Sequence, residues 1–83
     1  MITHVAIKDS TGEIWKMPKP YRHHHILKLI YDHFGESGHD RQQGFISNGK
    51  FVSRIEAKYI AEQNYQIKLG CGKFRELFSE DLW

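Results

Sequence analysis

The feature that most constrains this fold lies at residues 44–56, GFISNGKFVSRIE. Asn48-Gly49 stands between two short apolar pairs, and both residues tolerate the positive φ angles of a type I′ hairpin turn. Ser53 and Glu56 follow with the spacing of a capping box, in which a serine hydroxyl accepts the N–H three residues on. The segment therefore predicts a β-hairpin that leads directly into a helix.

A second hairpin is predicted near the N-terminus. Apolar and polar residues alternate over residues 3–8 and again, more briefly, over residues 13–17. Residues 9–12, DSTG, supply the turn formers between them. Proline then ends the second strand, and Pro20 suits the first turn of a helix that runs to about Phe34.

Apolar spacing predicts which helical residues are buried. In the first helix, five residues are predicted to lie near one face: Ile26, Leu29, Ile30, His33 and Phe34. The second helix, from Ser53 to about Gln63, is predicted to bury Ile55, Tyr59 and Ile60, with Ala57 and Ala61 allowing close approach. The aromatic residues predicted for the core are Phe34, Phe45, Phe51 and Tyr59. Residues 36–43 are predicted to form a polar loop, and residues 69–83 an irregular tail.

These elements predict an α+β fold in a single domain, residues 1–83, with two short β-hairpins and two helices in the order ββαββα. The pattern predicts a small antiparallel sheet, but leaves open whether both hairpins join it. A chain of 83 residues has a thin core, and oligomerisation is a common remedy. We therefore expect a homo-oligomer.

Several protein classes are excluded by composition. No apolar run reaches the roughly 18 residues of a membrane span, and the N-terminus lacks the layout of a signal peptide. The single cysteine, Cys71, forms no intrachain disulfide, which fits a reducing compartment and predicts a cytoplasmic protein. A net charge of +2 is too small to indicate non-specific binding to nucleic acid.

The run Arg22-His23-His24-His25 is the main candidate for function. Consecutive helical side chains are about 100° apart, so three neighbouring histidines do not converge on one ion. We predict no metal, no other cofactor and no catalytic residue. Free backbone N–H groups and the helix dipole instead favour an anion at this first turn. A general acid or base histidine acting on a bound phosphate remains an alternative.

Further candidate ligand contacts lie outside this run. Arg54 follows the cap of the second helix, and Lys50 lies just past the hairpin turn, so both are predicted to hold phosphate. Three aromatic residues without a clear periodic partner are predicted to stack on a base: Trp15, Tyr21 and Trp83. The structural alternative is that Glu56 or Asp81 holds Arg22 or Arg54 in a charge pair.

Three segments carry a resemblance to a known family. They are KPYRHHH at 19–25, GFISNGKFVSRIEAKYIAEQNYQ at 44–66, and LFSEDLW at 77–83. Together they resemble a family of short phage and prophage proteins over most of the chain. The resemblance implies a shared purpose for Arg22, His23, His24, Arg54, Glu56 and the Ser79–Asp81 segment.

What phages do with very small cytosolic proteins suggests, by analogy, a role in counter-defence in the host cytoplasm. The protein is then expected to be a non-enzymatic sponge that sequesters a cyclic-nucleotide immune signal, as anti-CBASS and anti-Thoeris proteins do. Two alternatives stay open. One is a small hydrolase of nucleotides or nucleic acid that uses His23 and His24. The other is a protein inhibitor that docks on a host enzyme through its Trp83 end.

Overall fold

The computed structural model describes residues 1–34 and 41–83, and it confirms the α+β fold and the ββαββα order. The elements are β1 (Ile2–Lys8), β2 (Ile14–Pro18), α1 (His23–Phe34), β3 (Gln42–Ser47), β4 (Lys50–Ser53) and α2 (Arg54–Gln63), followed by a short 3₁₀ helix (Ser79–Asp81). Within these described ranges, no helix is long and apolar enough to cross a membrane.

Both hairpins belong to one antiparallel sheet with the strand order β2-β1-β3-β4. Pairing of β1 with β3 joins them, and this settles the question that the sequence left open. One row of the sheet runs from Met17 through Val5 and Phe45 to Val52. Side chains in one row share a face. Three of these residues belong to the buried core and Met17 packs against it, so this face carries the helices.

The turns and caps form as local sequence predicts. Asn48 and Gly49 have φ angles of 52° and 76°, as a type I′ turn requires. The Ser53 hydroxyl accepts the N–H of Glu56 at 3.2 Å and caps α2. The hairpin of β3 and β4 therefore leads into α2 without an intervening loop.

The C-terminal clasp, as we call residues 77–83, closes the core. Leu77 and Leu82 are buried among the residues of both helices and the sheet. The Leu77 N–H donates to the Arg54 carbonyl at 2.9 Å. The Asp81 carboxylate accepts the Phe78 N–H at 3.0 Å and thereby caps the short 3₁₀ helix. The tail was predicted to be irregular, but its end is an integral part of the core.

The predicted burial of α2 is wrong for two residues. Ile55 and Tyr59 are exposed, whereas Ala57 and Ala61 are fully buried against the core. Alanine side chains let the helix backbone lie close to the sheet, and this close approach turns the bulky residues outward. Ile60 packs against the core and Ala57 and Ala61 approach the sheet closely, both as predicted. Apolar periodicity therefore failed only for Ile55 and Tyr59.

Other boundaries also shift. The α1 helix begins at His23 rather than Pro20, and Leu29 is exposed on its outer side. Phe45 is fully buried as predicted, but Phe51 is only partly buried. Part of the predicted 36–43 loop belongs to β3, since that strand begins at Gln42. Residues 35–40 and the Phe34 side chain lie outside the described part of the chain.

The clasp predicts a stability effect at Leu77. We expect Leu77→Ala to lower the free energy of unfolding by about 2–5 kcal/mol, because it leaves a cavity in the core. Leu69→Ala is the matched control, since Leu69 is fully exposed and its truncation should stay within about 0.5 kcal/mol. Urea unfolding of both variants measures the difference. Equal effects would show that the clasp does not contribute to the core.

Candidate functional site

Arg22 ties the start of α1 to the end of the chain. Its guanidinium donates to the backbone carbonyl of Trp83 and lies 3.3 Å from the Glu80 carboxylate. In return, the Trp83 indole N–H donates to the Tyr21 carbonyl at 2.9 Å. The pKa of the Glu80 carboxyl lies below its usual value, first because its own backbone N–H bonds to it and further because of Arg22. Arg22 therefore already has an anionic partner within the chain.

Arg54 has the same kind of partner at the start of α2. Its Nη2 lies 2.6 Å from Oε2 of Glu76, and its guanidinium lies over the Phe78 ring at 5.2 Å. The expectation of Glu56 or Asp81 as the partner of either arginine is wrong. The Asp81 carboxylate instead accepts backbone N–H groups, because it caps the 3₁₀ helix.

His23 is a core residue. Its side chain is buried, its Nε2 lies 2.7 Å from the Gly44 carbonyl, and its ring meets Phe45 edge to face at 4.9 Å. Since a carbonyl only accepts, Nε2 carries the proton. Burial lowers the pKa of His23, and the Arg54 charge lowers it further. The hydrogen bond to the Gly44 carbonyl raises it, but does not offset these effects. The ring is therefore neutral at pH 7 and has no open path to a substrate.

The other two histidines of the run are on the surface. His24 and His25 are exposed, with ring centroids 4.1 Å apart. Nδ1 of His25 accepts the Arg22 N–H at 2.9 Å, so this histidine helps to cap α1. The Tyr21 ring packs edge to face on His25 at 5.4 Å. The run thus divides into one core residue and an exposed aromatic surface.

Trp15 lies away from this surface. It is opposite Ile7 in the sheet, whereas Trp83 lies beside Ile2. Ile2 and Ile7 are five residues apart along β1, which is a distance of about 16 Å. Its indole N–H donates to the Asp9 carboxylate at 2.9 Å. Hydrogen bonds from Thr11 first, and from Trp15, lower the pKa of Asp9 to about 2. Trp15 therefore serves the first hairpin turn.

Lys50 is also separate from the clasp. Lys50 on β4 pairs with Ser47 on β3, and Ser47 pairs with Ile2 on β1. Lys50 is therefore two strand spacings, or about 10 Å, from Ile2. Lys50 is exposed beside the hairpin turn. Of the predicted ligand contacts, the structure places Tyr21, Arg22 and Trp83 together, with His24 next to them through His25, and it brings Arg54 to the start of the clasp.

A groove opens beside Trp83 where the two ends of the chain meet. It has a volume of about 270 Å³ and is lined by Ile2, Thr3, Lys19, Gln66, Leu82 and Trp83. We call it the clasp groove. Its lining residues include a lysine, a threonine, a glutamine and a tryptophan. Sequence reasoning missed Lys19, although Lys19 begins the KPYRHHH segment and stands next to the prolines that end β2.

The Gln66 amide forms the floor of this region. Its Oε1 accepts the Ile2 N–H at 2.7 Å and its Nε2 donates to the Ile2 carbonyl at 2.9 Å. The amide thus continues the sheet ladder beyond β1 and fixes the chain end. Across residues 1–34 and 41–83, no three His, Cys, Asp or Glu side chains come together in a way that suits a metal ion. His39 and Asp40 lie outside these ranges.

Comparison with known protein families identifies a relationship over the whole chain. A sequence profile of the family described as "Phage T4 y16D protein" matches residues 1–83, the whole chain. Comparison with curated proteins and with solved structures gives no match.

The Arg54–Glu76 pair predicts a modest coupling energy. Their side chains are 29% and 44% exposed, so water screens the pair and we expect about 0.2–1 kcal/mol from a double-mutant cycle of Arg54→Ala and Glu76→Ala. Urea unfolding of the two single variants and the double variant measures it. Lys28→Ala, which removes a positive charge at an exposed position of α1, is the control. A coupling of about 3–5 kcal/mol would instead indicate a fully desolvated pair.

Burial of His23 predicts a pH dependence of stability. Because its folded pKa lies below 6.5, the unfolded chain takes up the proton first, and stability is lost as pH falls below about 6.5. The slope from this group is at most about 1.4 kcal/mol per pH unit. His23→Gln keeps an N–H donor for Gly44 but removes the titration, so we expect a flatter curve of unfolding free energy against pH.

His24→Gln is the control for this measurement, since His24 is exposed on the same helical turn. Urea unfolding between pH 5 and pH 8 should give the control the slope of the unmodified protein. The same slope in all three proteins would contradict a buried, neutral His23.

Proposed function

The chain belongs to the phage T4 y16D protein family, and we propose that it is a counter-defence protein that sequesters a phosphate-containing, cyclic nucleotide without cleaving it. The observation that carries this proposal is the clasp groove. Trp83 and Lys19 line the same cavity, so an aromatic face and a cation are available to one ligand. Nucleotides carry the two complementary groups, a base and a phosphate.

Each wall of the groove has a role in this proposal. The base stacks on the Trp83 indole, a contact worth about 1–3 kcal/mol in nucleic-acid binding proteins. The Lys19 ammonium holds phosphate as a point charge. The Thr3 hydroxyl already donates to the Ile46 carbonyl, and the Gln66 amide bonds to both backbone groups of Ile2, so in this proposal the two residues mainly shape the groove.

The size of the groove limits what it encloses. Its volume of about 270 Å³ lies just below the roughly 300–1,000 Å³ of typical small-molecule sites. We therefore expect it to enclose one nucleotide unit, with the remainder of a cyclic ligand extending towards Tyr21 and His24. Tyr21 is adjacent, because its carbonyl accepts the Trp83 indole N–H, and its ring is exposed.

The proposal assigns ligand contact to Lys19, Tyr21, Arg22, His24 and Trp83. Arg22 belongs to this set because it adjoins Trp83 and because a phosphate can compete with Glu80 for its guanidinium. The remaining predicted contacts, His23, Trp15, Lys50 and Arg54, are buried, occupied or distant from the groove, and the proposal does not use them.

A direct test separates binding from hydrolysis. The purified protein is incubated with a panel of cyclic nucleotides, washed and denatured, and the released ligand is identified. Recovery of an intact nucleotide supports the proposal. Recovery of a cleaved product supports the hydrolase alternative with His24 as its histidine, since His23 is buried. Failure to retain any member of the panel contradicts the proposal.

Substitutions in the groove give a quantitative test. We expect Lys19→Gln to weaken nucleotide binding by roughly tenfold to over a hundredfold, because a charge-assisted contact is worth about 1.5–3 kcal/mol. Lys16→Gln is the matched control: it makes the same change of charge at an exposed position on β2, outside the groove lining. Isothermal calorimetry measures both affinities. Equal losses of affinity in the two variants would show that the effect comes from net charge alone.

The stacking role of Trp83 is tested separately. Trp83→Phe keeps an aromatic face and should retain most of the affinity, whereas Trp83→Leu should lose roughly tenfold or more. Thermal unfolding of each variant without ligand corrects for lost packing in the clasp. Equal affinities of the phenylalanine and leucine variants would rule out stacking at this position.

A further inference from the structure

Apolar side chains are exposed in a line along α2. Ile55, Tyr59 and Phe74 are 53%, 68% and 67% exposed and contribute to the lining of one cavity of about 400 Å³. A second cavity, of about 370 Å³, is lined in part by Tyr65, Ile67 and Cys71. Both cavities share Lys58 and Glu62, so they adjoin each other along α2, and we call the two together the α2 groove.

The α2 groove is held open by hydrogen bonds within the chain. Nζ of Lys58 donates to the carbonyls of Gly72 and Phe74 at 2.8 and 2.6 Å. These bonds fix the segment that carries Phe74 at a set distance from α2. The Phe74 ring also packs edge to face on Phe78 at 5.9 Å, which links it to the clasp. The groove is therefore preformed, and a partner would pay little ordering entropy.

Charges of opposite sign flank the apolar residues at opposite ends of the helix. Glu62 is exposed near the C-terminal end of α2. Arg75 is exposed at the N-terminal side, since its neighbour Glu76 pairs with Arg54. Lys73 is exposed nearer the middle, between the two carbonyls bonded to Lys58. A surface with an acid towards one end and a base at the other is complementary to itself when turned through 180°. This is the property of an isologous two-fold interface.

We propose that a second copy of this chain docks on the α2 groove, with the two α2 helices antiparallel about a two-fold axis at Tyr59. The helix has ten residues and is about 15 Å long, and Tyr59 is near its middle. The two Tyr59 rings meet at the axis. The Glu62 carboxylate of each copy then faces Arg75 of the other.

The exposed area is consistent with the centre of such an interface. Two aromatic side chains that are two-thirds exposed offer roughly 200–300 Å² per copy, because each aromatic buries about 150–250 Å² when covered. A stable interface buries at least about 1,000 Å² in total. The apolar centre therefore accounts for about half, and the flanking charged side chains supply the rim.

Dimerisation through this face leaves the clasp groove open. The lining of the clasp groove shares no residue with the lining of the α2 groove. The interface thus does not depend on the nucleotide proposal, and either can fail without the other.

Sedimentation equilibrium tests the interface. At micromolar concentrations we expect a mass of about twice the 9.8 kDa chain. Tyr59→Lys places two positive charges at the two-fold axis and should weaken association by roughly a hundredfold or more. Tyr31→Lys is the matched control, since Tyr31 is half-exposed on α1, and it should leave the mass unchanged.

Charge reversal identifies the partner as a second copy. Glu62→Lys or Arg75→Glu alone should weaken association by roughly tenfold, since like charges then face each other. The doubly substituted protein regains self-association, because the complementary arrangement is restored in reverse. Circular dichroism of each variant confirms that the fold is retained.

Cys71 provides a probe that needs no substitution. It is exposed in the isolated chain and lines the α2 groove, so its alkylation should slow as protein concentration rises. A monomer mass at every concentration up to about 1 mM would overturn the proposal. A dimer that Tyr59→Lys leaves intact would also overturn it, because the contact would then lie on another face.

Discussion

The packing of the C-terminal clasp against both helix starts is the contact on which the rest of this structure depends. Leu77 and Leu82 fill the core between helices that are too short to cover the sheet alone. The Arg54 carbonyl fixes one end of the clasp, and the Arg22 guanidinium fixes the other through the Trp83 carbonyl. The LFSEDLW segment is therefore a folding element first. Its two apolar residues and its capping aspartate explain why a tail without a long helix is ordered.

Sequence segments that are far apart meet around one glycine. A side chain at Gly44 would place Cβ 2.3 Å from the Val52 carbonyl and 2.5 Å from the Phe51 ring, so no larger residue fits. The Gly44 carbonyl accepts the bond from His23, the ring of which packs on Phe45. The GF pair of the 44–66 segment and the RHH run of the 19–25 segment therefore meet in one contact. A buried histidine with a satisfied nitrogen explains one of the three consecutive histidines without any ligand.

Local rules predicted the parts of the fold that depend on neighbours in sequence. The Asn48-Gly49 turn, the Ser53 cap and the ββαββα order all follow from spacings of a few residues. The exposure of Ile55 and Tyr59 did not, because tertiary contacts decide which side of α2 packs on the sheet, and that side carries Ala57 and Ala61. The partners of the arginines, Glu76 and Glu80, were also missed, since only the fold of the C-terminal segment brings them to the helix starts. For the candidate site, sequence identified Trp83 but not Lys19, because only the fold places Lys19 beside the chain end.

The internal pairing of charges changes where function is to be sought. Arg54 and His23 already have partners within the chain, and a ligand reaches Arg22 only in competition with Glu80, so the open binding surfaces are the two grooves. The clasp groove is built from Thr3, Lys19 and Trp83, which lie in the first and last parts of the chain. A ligand bound there contacts segments that separate on unfolding, and it stabilises the whole domain in proportion to RT ln(1 + [L]/Kd). Self-association through α2 acts by the same linkage, with protein concentration in place of ligand concentration. Two thermal unfolding series, one over nucleotide and one over protein, therefore distinguish the two surfaces in the unmodified protein.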